Sequence, residues 1–150
     1  MNPRIVMSIL CGMVLMAAAA QAVTTVGPSD PSILYTGRWD FSSPTQPWCY
    51  WIGASIIARF EGTGIAANMS GGYQENPDYL RIIVDDDAAN SVKIAVPVTA
   101  DTYTLASGLA DTVHKVEIIK ETDVGYWTFY SFELDDGRSL ATRRRDRLAK

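Results

Sequence analysis

The segment at residues 53–69 constrains the fold of this chain more than any other. Ile56, Ala58 and Phe60 lie two positions apart, so all three face the same side of an extended chain. Arg59 lies between them and faces the other side. A Glu-Gly-Thr-Gly turn follows, and then a second strand-like run. This pattern predicts a pair of strands that cover a hydrophobic core on one face.

The rest of the chain repeats this pattern. Gly, Pro, Asn and Asp separate further strand-like segments, which lie at 33–36, 38–41, 48–51, 79–84, 91–96, 102–105, 112–120 and 127–134. No segment after residue 22 shows helical periodicity, so we predict an all-β fold, a single jelly-roll-like antiparallel β-sandwich. In its last strand, Tyr130, Phe132 and Leu134 are predicted to share a face. The predicted core consists of Ile56, Phe60, Leu80, Ile82, Val84, Val116, Ile118 and Phe132.

Residues 1–22 are typical of a secretory signal peptide. An Arg precedes an apolar run over residues 5–20, and an Ala-Gln-Ala cleavage signal ends at Ala22. A membrane anchor is the alternative, because the run approaches the lower limit of a spanning helix, but the cleavage signal favours removal. We therefore expect a secreted or periplasmic product. Its predicted parts are a linker at 23–31, the sandwich at 32–137 and a basic tail at 138–150.

Cleavage of the signal would leave one cysteine. Cys11 lies inside the apolar run, so Cys49 would be the remaining thiol and no internal disulfide is predicted. Trp48 and Tyr50 flank Cys49, which favours a small buried hydrophobic residue over a reactive thiol.

Charge is unevenly distributed along the chain. Residues 23–137 hold six Lys or Arg against sixteen Asp or Glu, whereas residues 138–150 hold six against one. An acidic body argues against a nucleic-acid partner, which needs a basic patch. We interpret the basic end as a solvated tail.

The sequence offers little for catalysis or metal binding. Asp111 and His114 match an Asp-x-x-His pairing that orients the base in one large esterase superfamily, but the chain has no Gly-Asp-Ser or Gly-x-Ser-x-Gly nucleophile turn. We therefore interpret His114 as a histidine at the edge of the core, and a minimal Ser-His esterase is the less favoured alternative. Residues 85–87 are three aspartates whose spacing fits no calcium loop, so we interpret them as an acidic hairpin turn. We expect no metal and no cofactor.

Aromatic side chains carry the remaining chemical signal. Sugars stack their C–H faces on flat rings, with polar groups alongside to bind the hydroxyls. Trp48, Tyr73 and Tyr79 lie in or beside loops that are rich in Gln, Glu, Asn and Asp. We predict these three as ligand-binding residues. The other tryptophans, Trp39, Trp51 and Trp127, are predicted to fill the core.

Six short runs carry a family resemblance, at 33–40, 51–56, 59–64, 83–85, 114–116 and 120–122. In this order and spacing they resemble the N-terminal jelly-roll domain of carbohydrate esterase family 2. Members of that family are secreted acetyl-sugar esterases that join such a sandwich to a C-terminal hydrolase domain with a Gly-Asp-Ser nucleophile. The resemblance covers residues 32–137 and includes no catalytic residue, so it implies a domain that is not itself an enzyme.

These observations predict a non-catalytic accessory or carbohydrate-binding domain of a polysaccharide-deacetylating system. Its partner would be a glycan, such as an acetylated plant polysaccharide. The alternative is a structural or docking module for a separate esterase domain. We expect no nucleic-acid partner, and no membrane contact after signal cleavage.

Arg38 and Asp40 are two strongly polar residues that flank Trp39. Side chains repeat every two residues in an extended segment, so both face one side and Trp39 faces the other. We predict that Trp39 packs inward and that the polar pair fixes the first strand against the following loop. A role in ligand binding is the alternative.

Overall fold

The computed structural model describes residues 22–142. The predicted signal peptide, apart from Ala22, and the arginine cluster at 143–147 lie outside the described residues. The described part contains ten strands, which are β1 (Val23–Val26), β2 (Leu34–Thr36), β3 (Trp48–Cys49), β4 (Ser55–Gly62), β5 (Ile65–Ser70), β6 (Asp78–Val84), β7 (Val92–Val96), β8 (Asp101–Ala106), β9 (Thr112–Lys120) and β10 (Trp127–Asp135).

The strands form two five-stranded sheets, and every strand pair is antiparallel. Sheet 1 has the order β1-β10-β5-β8, with β3 also paired to β10, and sheet 2 has the order β2-β4-β9-β6-β7. From β4 to β6 and again from β7 to β10, each connection crosses from one sheet to the other, as in jelly rolls. A single 3-10 turn, Ala88–Asn90, is the one helical element in residues 22–142. The predicted all-β sandwich is therefore confirmed.

The core lies between the two sheets and follows the alternation in the sequence. Seven of the predicted core residues are buried, and Val84 is partly buried against them. Strand β9 shows the pattern, because every second side chain from His114 to Lys120 is buried. No helix within the described residues is long and apolar enough to span a membrane.

The predicted boundaries of the sandwich are too narrow at both ends. Val23–Val26, predicted as part of a linker, is strand β1 and pairs with β10 in sheet 1. At the other end, Leu140 is buried opposite Phe60, and the backbone N–H of Ala141 donates to the carbonyl of Arg59 at 2.8 Å. Both segments pair with residues that are distant in sequence, so no local pattern in the sequence indicated their pairing.

The predicted face of the last strand is wrong in its first half. The pairing of β10 with β5 shifts between Phe129 and Ser131, which indicates a β-bulge. Trp127 and Phe129 are buried before the bulge, and Phe132 and Leu134 after it. Tyr130, predicted to face the core with Phe132, is partly exposed instead. One extra residue is enough to reverse the face on which side chains point.

Candidate functional site

Four neighbouring aromatic side chains reach solvent where β3 meets β10. They are Trp48, Tyr50, Trp51 and Tyr126, and we call them the aromatic surface. Trp51 and Tyr126 are 53% and 54% exposed, so more than half of each ring is free for contact. A continuous group of solvent-accessible rings is uncommon on a domain surface, so these four residues are the candidate binding site.

The short strand β3 sets the direction of the first two rings. Cys49 lies opposite Trp127 in the pairing with β10 and is 1% exposed. Trp48 and Tyr50 flank Cys49, so both face outward. The chain then crosses to sheet 2, where the N–H of Gly53 donates to the carbonyl of Lys120 at 2.9 Å. Gly53 has a φ of +79°, a conformation that glycine adopts without strain.

A close contact between two glycines positions Tyr126. Gly125 lies against Gly72 of the neighbouring loop, and a Cβ at position 125 would lie 2.0 Å from the Gly72 carbonyl oxygen. No side chain fits there, so the two loops can meet only through glycine. This contact brings the loop that precedes β10 beside β3, where Tyr126 reaches Trp48.

The four rings are steeply inclined to one another. The Trp48 and Tyr126 centroids are 4.7 Å apart with planes at 85°, and Tyr50 and Tyr126 are 5.6 Å apart at 63°. Tyr50 and Trp51 follow at 5.9 Å and 81°. These edge-to-face contacts are favourable and hold the rings in fixed positions.

Trp48 lines two clefts. The first has a volume of about 270 Å³ and is lined by Arg38, Trp39, Asp40, Trp48, Tyr50 and Trp51. The second has a volume of about 320 Å³ and is lined by Trp48, Tyr126 and Thr128. The first cleft therefore combines rings with a cation and a carboxylate, and the second combines rings with one hydroxyl.

Arg38 and Asp40 form the polar wall of the first cleft. The Arg38 guanidinium lies 5.3 Å from the centre of the Trp51 ring, within the range of a cation–π contact. Asp40 accepts a hydrogen bond from the N–H of Ser42 at 2.7 Å. Hydrogen bonds from Ser42 hold the pKa of Asp40 below its usual value, so the carboxylate is charged at neutral pH. Arg38 makes no ion pair within residues 22–142.

Trp39 packs inward, as predicted. Its ring lies 4.9 Å from that of Trp127, and its Nε1–H donates to the carbonyl of Thr36 at 3.0 Å. The segment at 38–41 is not a strand, because its regular pairing is limited to a bridge between Asp40 and Trp48. That bridge brings Asp40 to the edge of the first cleft.

The three predicted ligand residues lie in different places. Trp48 is the centre of the aromatic surface. Tyr73 is 57% exposed in the loop before β6, beside the Gly72 contact, and its ring contacts none of the four rings. Tyr79 lies on the outer face of sheet 2, with the Lys93 ammonium 4.7 Å from its ring centre. The structure therefore brings only Trp48 into the aromatic surface.

The sequence analysis missed three of the four rings. Trp51 was predicted to be a core residue, which is wrong, because the turn after β3 carries it to the surface. Tyr50 could have been identified from its position two residues after Trp48. Tyr126 could not, because it reaches the site only through the contact between the two loops.

The Asp111–His114 pairing considered for catalysis does not form. Asp111 binds Arg138 at 2.7 Å. His114 Nδ1 lies 2.7 Å from Asp85 Oδ2, and Nε2 lies 2.8 Å from the carbonyl oxygen of Ala110. The hydrogen bonds to the Ala110 carbonyl and to Asp85 raise the pKa of His114. Both ring nitrogens are engaged by partners other than Asp111, so Asp111 does not orient His114 as a catalytic base.

A buried ion pair lies beneath the aromatic surface. Lys120 and Asp78 are both 0% exposed and in direct contact. Asp78 also accepts hydrogen bonds from the Gly72 N–H and the Thr122 hydroxyl, each at 3.0 Å. The pair therefore joins the loop before β6 to the loop after β9. Cys49 lies nearby, and burial raises the pKa of its thiol to about 12, so it is unreactive in the folded domain.

The fold places the chain among small β-sandwiches with the architecture of carbohydrate-binding modules. A family 35 carbohydrate-binding module from an environmental isolate is similar, with a TM-score of 0.61 and 15% identity over 80% of this chain and 98% of that one. Identity this low shows the fold alone.

The sequence comparison is more specific. Residues 35–143 match the family described as Carbohydrate esterase 2 N-terminal, and the chain belongs to that family. The Cellulase/esterase CelE of Acetivibrio thermocellus is 32% identical over 124 residues, which are 81% of this chain and 15% of that protein. A family two carbohydrate esterase from Clostridium thermocellum, solved in complex with cellohexaose, is 32% identical with a TM-score of 0.64, over 73% of this chain and 33% of that one.

The match is therefore to one part of longer proteins. The chain spans about 15% of the length of the curated relative. A family two carbohydrate esterase from Cellvibrio japonicus has the same fold over 82% of this chain and 36% of its own, with a TM-score of 0.71 and 22% identity. Within the 150 residues, the family match is to the N-terminal domain.

Proposed function

We propose that this domain is a non-catalytic carbohydrate-binding accessory domain of a polysaccharide-deacetylating system. The aromatic surface is the binding site, and Trp48 is its centre. A glycan with acetylated sugars, such as acetylated glucomannan or xylan, is the partner. The observation that carries this proposal is the group of three exposed rings and the partly buried Trp48 beside the Arg38 and Asp40 side chains.

The chemistry of the surface suits sugars. A pyranose ring has apolar C–H faces and polar hydroxyl edges, so it needs flat apolar contacts and hydrogen-bonding groups side by side. The first cleft supplies both. The Arg38 guanidinium offers several N–H donors, and the charged Asp40 carboxylate offers acceptors for hydroxyl protons.

The comparisons support a glycan partner without assigning its site. The Clostridium thermocellum relative was solved with cellohexaose, and this chain matches a third of that protein. The similarity to a carbohydrate-binding module adds support at the level of the fold. The proposal therefore rests on the geometry of the aromatic surface in this chain.

Binding can be tested with affinity electrophoresis and calorimetry on acetylated and deacetylated glucomannan and xylan. The wild type should be retained, and Trp48→Ala should lose at least about tenfold in affinity, because it removes the ring shared by both clefts. Tyr79→Ala is the matched control, since it removes an exposed ring from the other sheet. Absence of retention by every glycan in the panel would exclude the proposal.

A docking module for a separate esterase domain is the second candidate. Its support is the size of the exposed aromatic surface, since such surfaces also bind proteins. A competition experiment distinguishes the two candidate functions. A short soluble oligosaccharide should block glycan retention if the surface binds sugar. If the surface instead docks an esterase domain, the wild type should not bind glycan. Trp48→Ala should then weaken association with the hydrolase domain of a family member, measured by calorimetry.

The predicted secretion can be tested separately. Expression of the whole chain in a secreting host should give an extracellular or periplasmic product that begins at Val23, which mass spectrometry of the intact protein can measure. A product that still carries residues 1–22 in the membrane fraction would support the anchor alternative.

A further inference from the structure

We infer that the aromatic surface binds a single soluble glycan chain at two subsites, one on each side of Trp48, and does not adsorb to the flat face of a crystalline polysaccharide. This inference rests on the proposed function and specifies the physical form of the ligand. Two observations carry it, the inclination of the rings and the division of the surface into two clefts.

The inclination of adjacent rings disfavours flat stacking. A crystalline polysaccharide presents a plane of sugar faces, and a ring stacks on that plane only when the two are parallel. Trp48 and Tyr126 are inclined at 85°, Tyr50 and Tyr126 at 63°, and Tyr50 and Trp51 at 81°. No two rings in direct contact can therefore stack on one flat face together. Each ring face meets the edge of its neighbour and forms a corner instead.

A corner suits one sugar of a free chain. The C–H face of the sugar packs on one ring, and its side packs against the edge of the next. Glycosidic bonds let consecutive sugars of a dissolved chain rotate, so each sugar can turn to meet a differently inclined ring. Sugars locked in a crystal cannot turn in this way.

The clefts divide the surface into two subsites. Both are lined by Trp48, and at about 270 and 320 Å³ each lies near the lower end of the size of ligand pockets. Each cleft is therefore of a size for a single sugar ring. Trp48 contributes to both, so the two sugars on either side of it belong to one short chain.

The two subsites also differ in polarity. The first contains Arg38 and Asp40 and can bind several hydroxyls. The second offers the rings of Trp48 and Tyr126 and the side chain of Thr128. A variant at Tyr126 therefore removes one subsite and leaves the polar subsite in place.

Calorimetry with cello-oligosaccharides and manno-oligosaccharides of one to six sugars tests the number of subsites. Affinity should increase about tenfold when the second subsite is filled, at two to three sugars, and should then stay level. Tyr126→Ala should abolish this increase with chain length, because it removes a ring of the second subsite. Tyr79→Ala should leave the whole series unchanged. A steady increase up to six sugars, in either series, would overturn the two-subsite arrangement.

A depletion assay tests the form of the ligand. The domain should stay in solution with microcrystalline cellulose under conditions where soluble glucomannan retains it. Stronger binding to the crystalline surface than to every soluble glycan would refute this inference and leave the proposed function standing. Failure to bind either form would refute both. Near-ultraviolet circular dichroism and thermal melting of each variant confirm that it is folded.

Discussion

Removing the buried Lys120 ammonium should strongly destabilise this domain. In Lys120→Met the side-chain volume is nearly conserved, but Asp78 remains as a fully buried carboxylate without its cation. Breaking one partner of a buried ion pair typically costs about 3 to 5 kcal/mol, because the other charge stays out of water and uncompensated. Asp78 keeps its hydrogen bonds from Gly72 and Thr122, so we expect the free energy of unfolding to fall by about 3 kcal/mol, the lower end of this range.

A loss of this size is large for a single domain. Small domains are stable by only about 5 to 15 kcal/mol in total. The pair also joins the two loops that carry Tyr73 and Tyr126, so glycan affinity should fall in the variant as the loops loosen. Urea denaturation followed by tryptophan fluorescence measures the free energy of unfolding, and calorimetry measures the affinity.

A double variant separates the charge from the packing. Lys120→Met with Asp78→Asn removes both charges and keeps an oxygen that can accept a hydrogen bond. Buried ion pairs can often be replaced by neutral groups at little cost, so the double variant should be more stable than Lys120→Met alone. Equal destabilisation of the single and double variants would refute this electrostatic reasoning.

Three further predictions concern other parts of the domain. Phe60→Ala should cost about 3 to 5 kcal/mol of unfolding free energy by creating a cavity, and a loss below about 1 kcal/mol would contradict a core position. The raised pKa of His114 contributes stability that is complete below about pH 6.5, so the free energy of unfolding should fall as the pH rises through the folded pKa. His114→Gln should remove this dependence, and an unchanged pH profile in that variant would assign it to another group. Arg38→Ala should lower glycan affinity at an unchanged melting temperature, because Arg38 lines the first cleft and contacts Trp51. A lower melting temperature with unchanged affinity would instead support the architectural role predicted from the sequence.

Local alternation was enough to predict most strands and most of the core. Strands β4, β6 and β9 alternate regularly, and the apolar residues predicted to be buried on them are buried apart from the partly exposed Val84. The burial of Asp78 and Lys120 at the ends of β6 and β9 was not predicted. The fold class follows from these strands because they need two sheets to bury their apolar faces. The family resemblance added the identity of the domain, which the match to residues 35–143 confirms.

The errors occurred where distant segments determine the local structure. Strand β1 is short and follows no clear alternation, and only its pairing with β10 makes it a strand. The bulge near Phe129 is set by the register with β5. Trp51 was placed in the core because tryptophan is hydrophobic, yet the crossing between the sheets exposes it. The aromatic surface forms from two separate parts of the chain, residues 48–51 and Tyr126, which a linear pattern does not bring together.

The position of β10 in sheet 1 has a consequence for how the domain matures. This strand pairs with β1, β3 and β5, so it holds the sheet together, and it is the last of the ten strands to leave the ribosome. A nascent chain that lacks β10 cannot complete sheet 1, so β1, β3 and β5 wait for a common partner until the tenth strand has emerged.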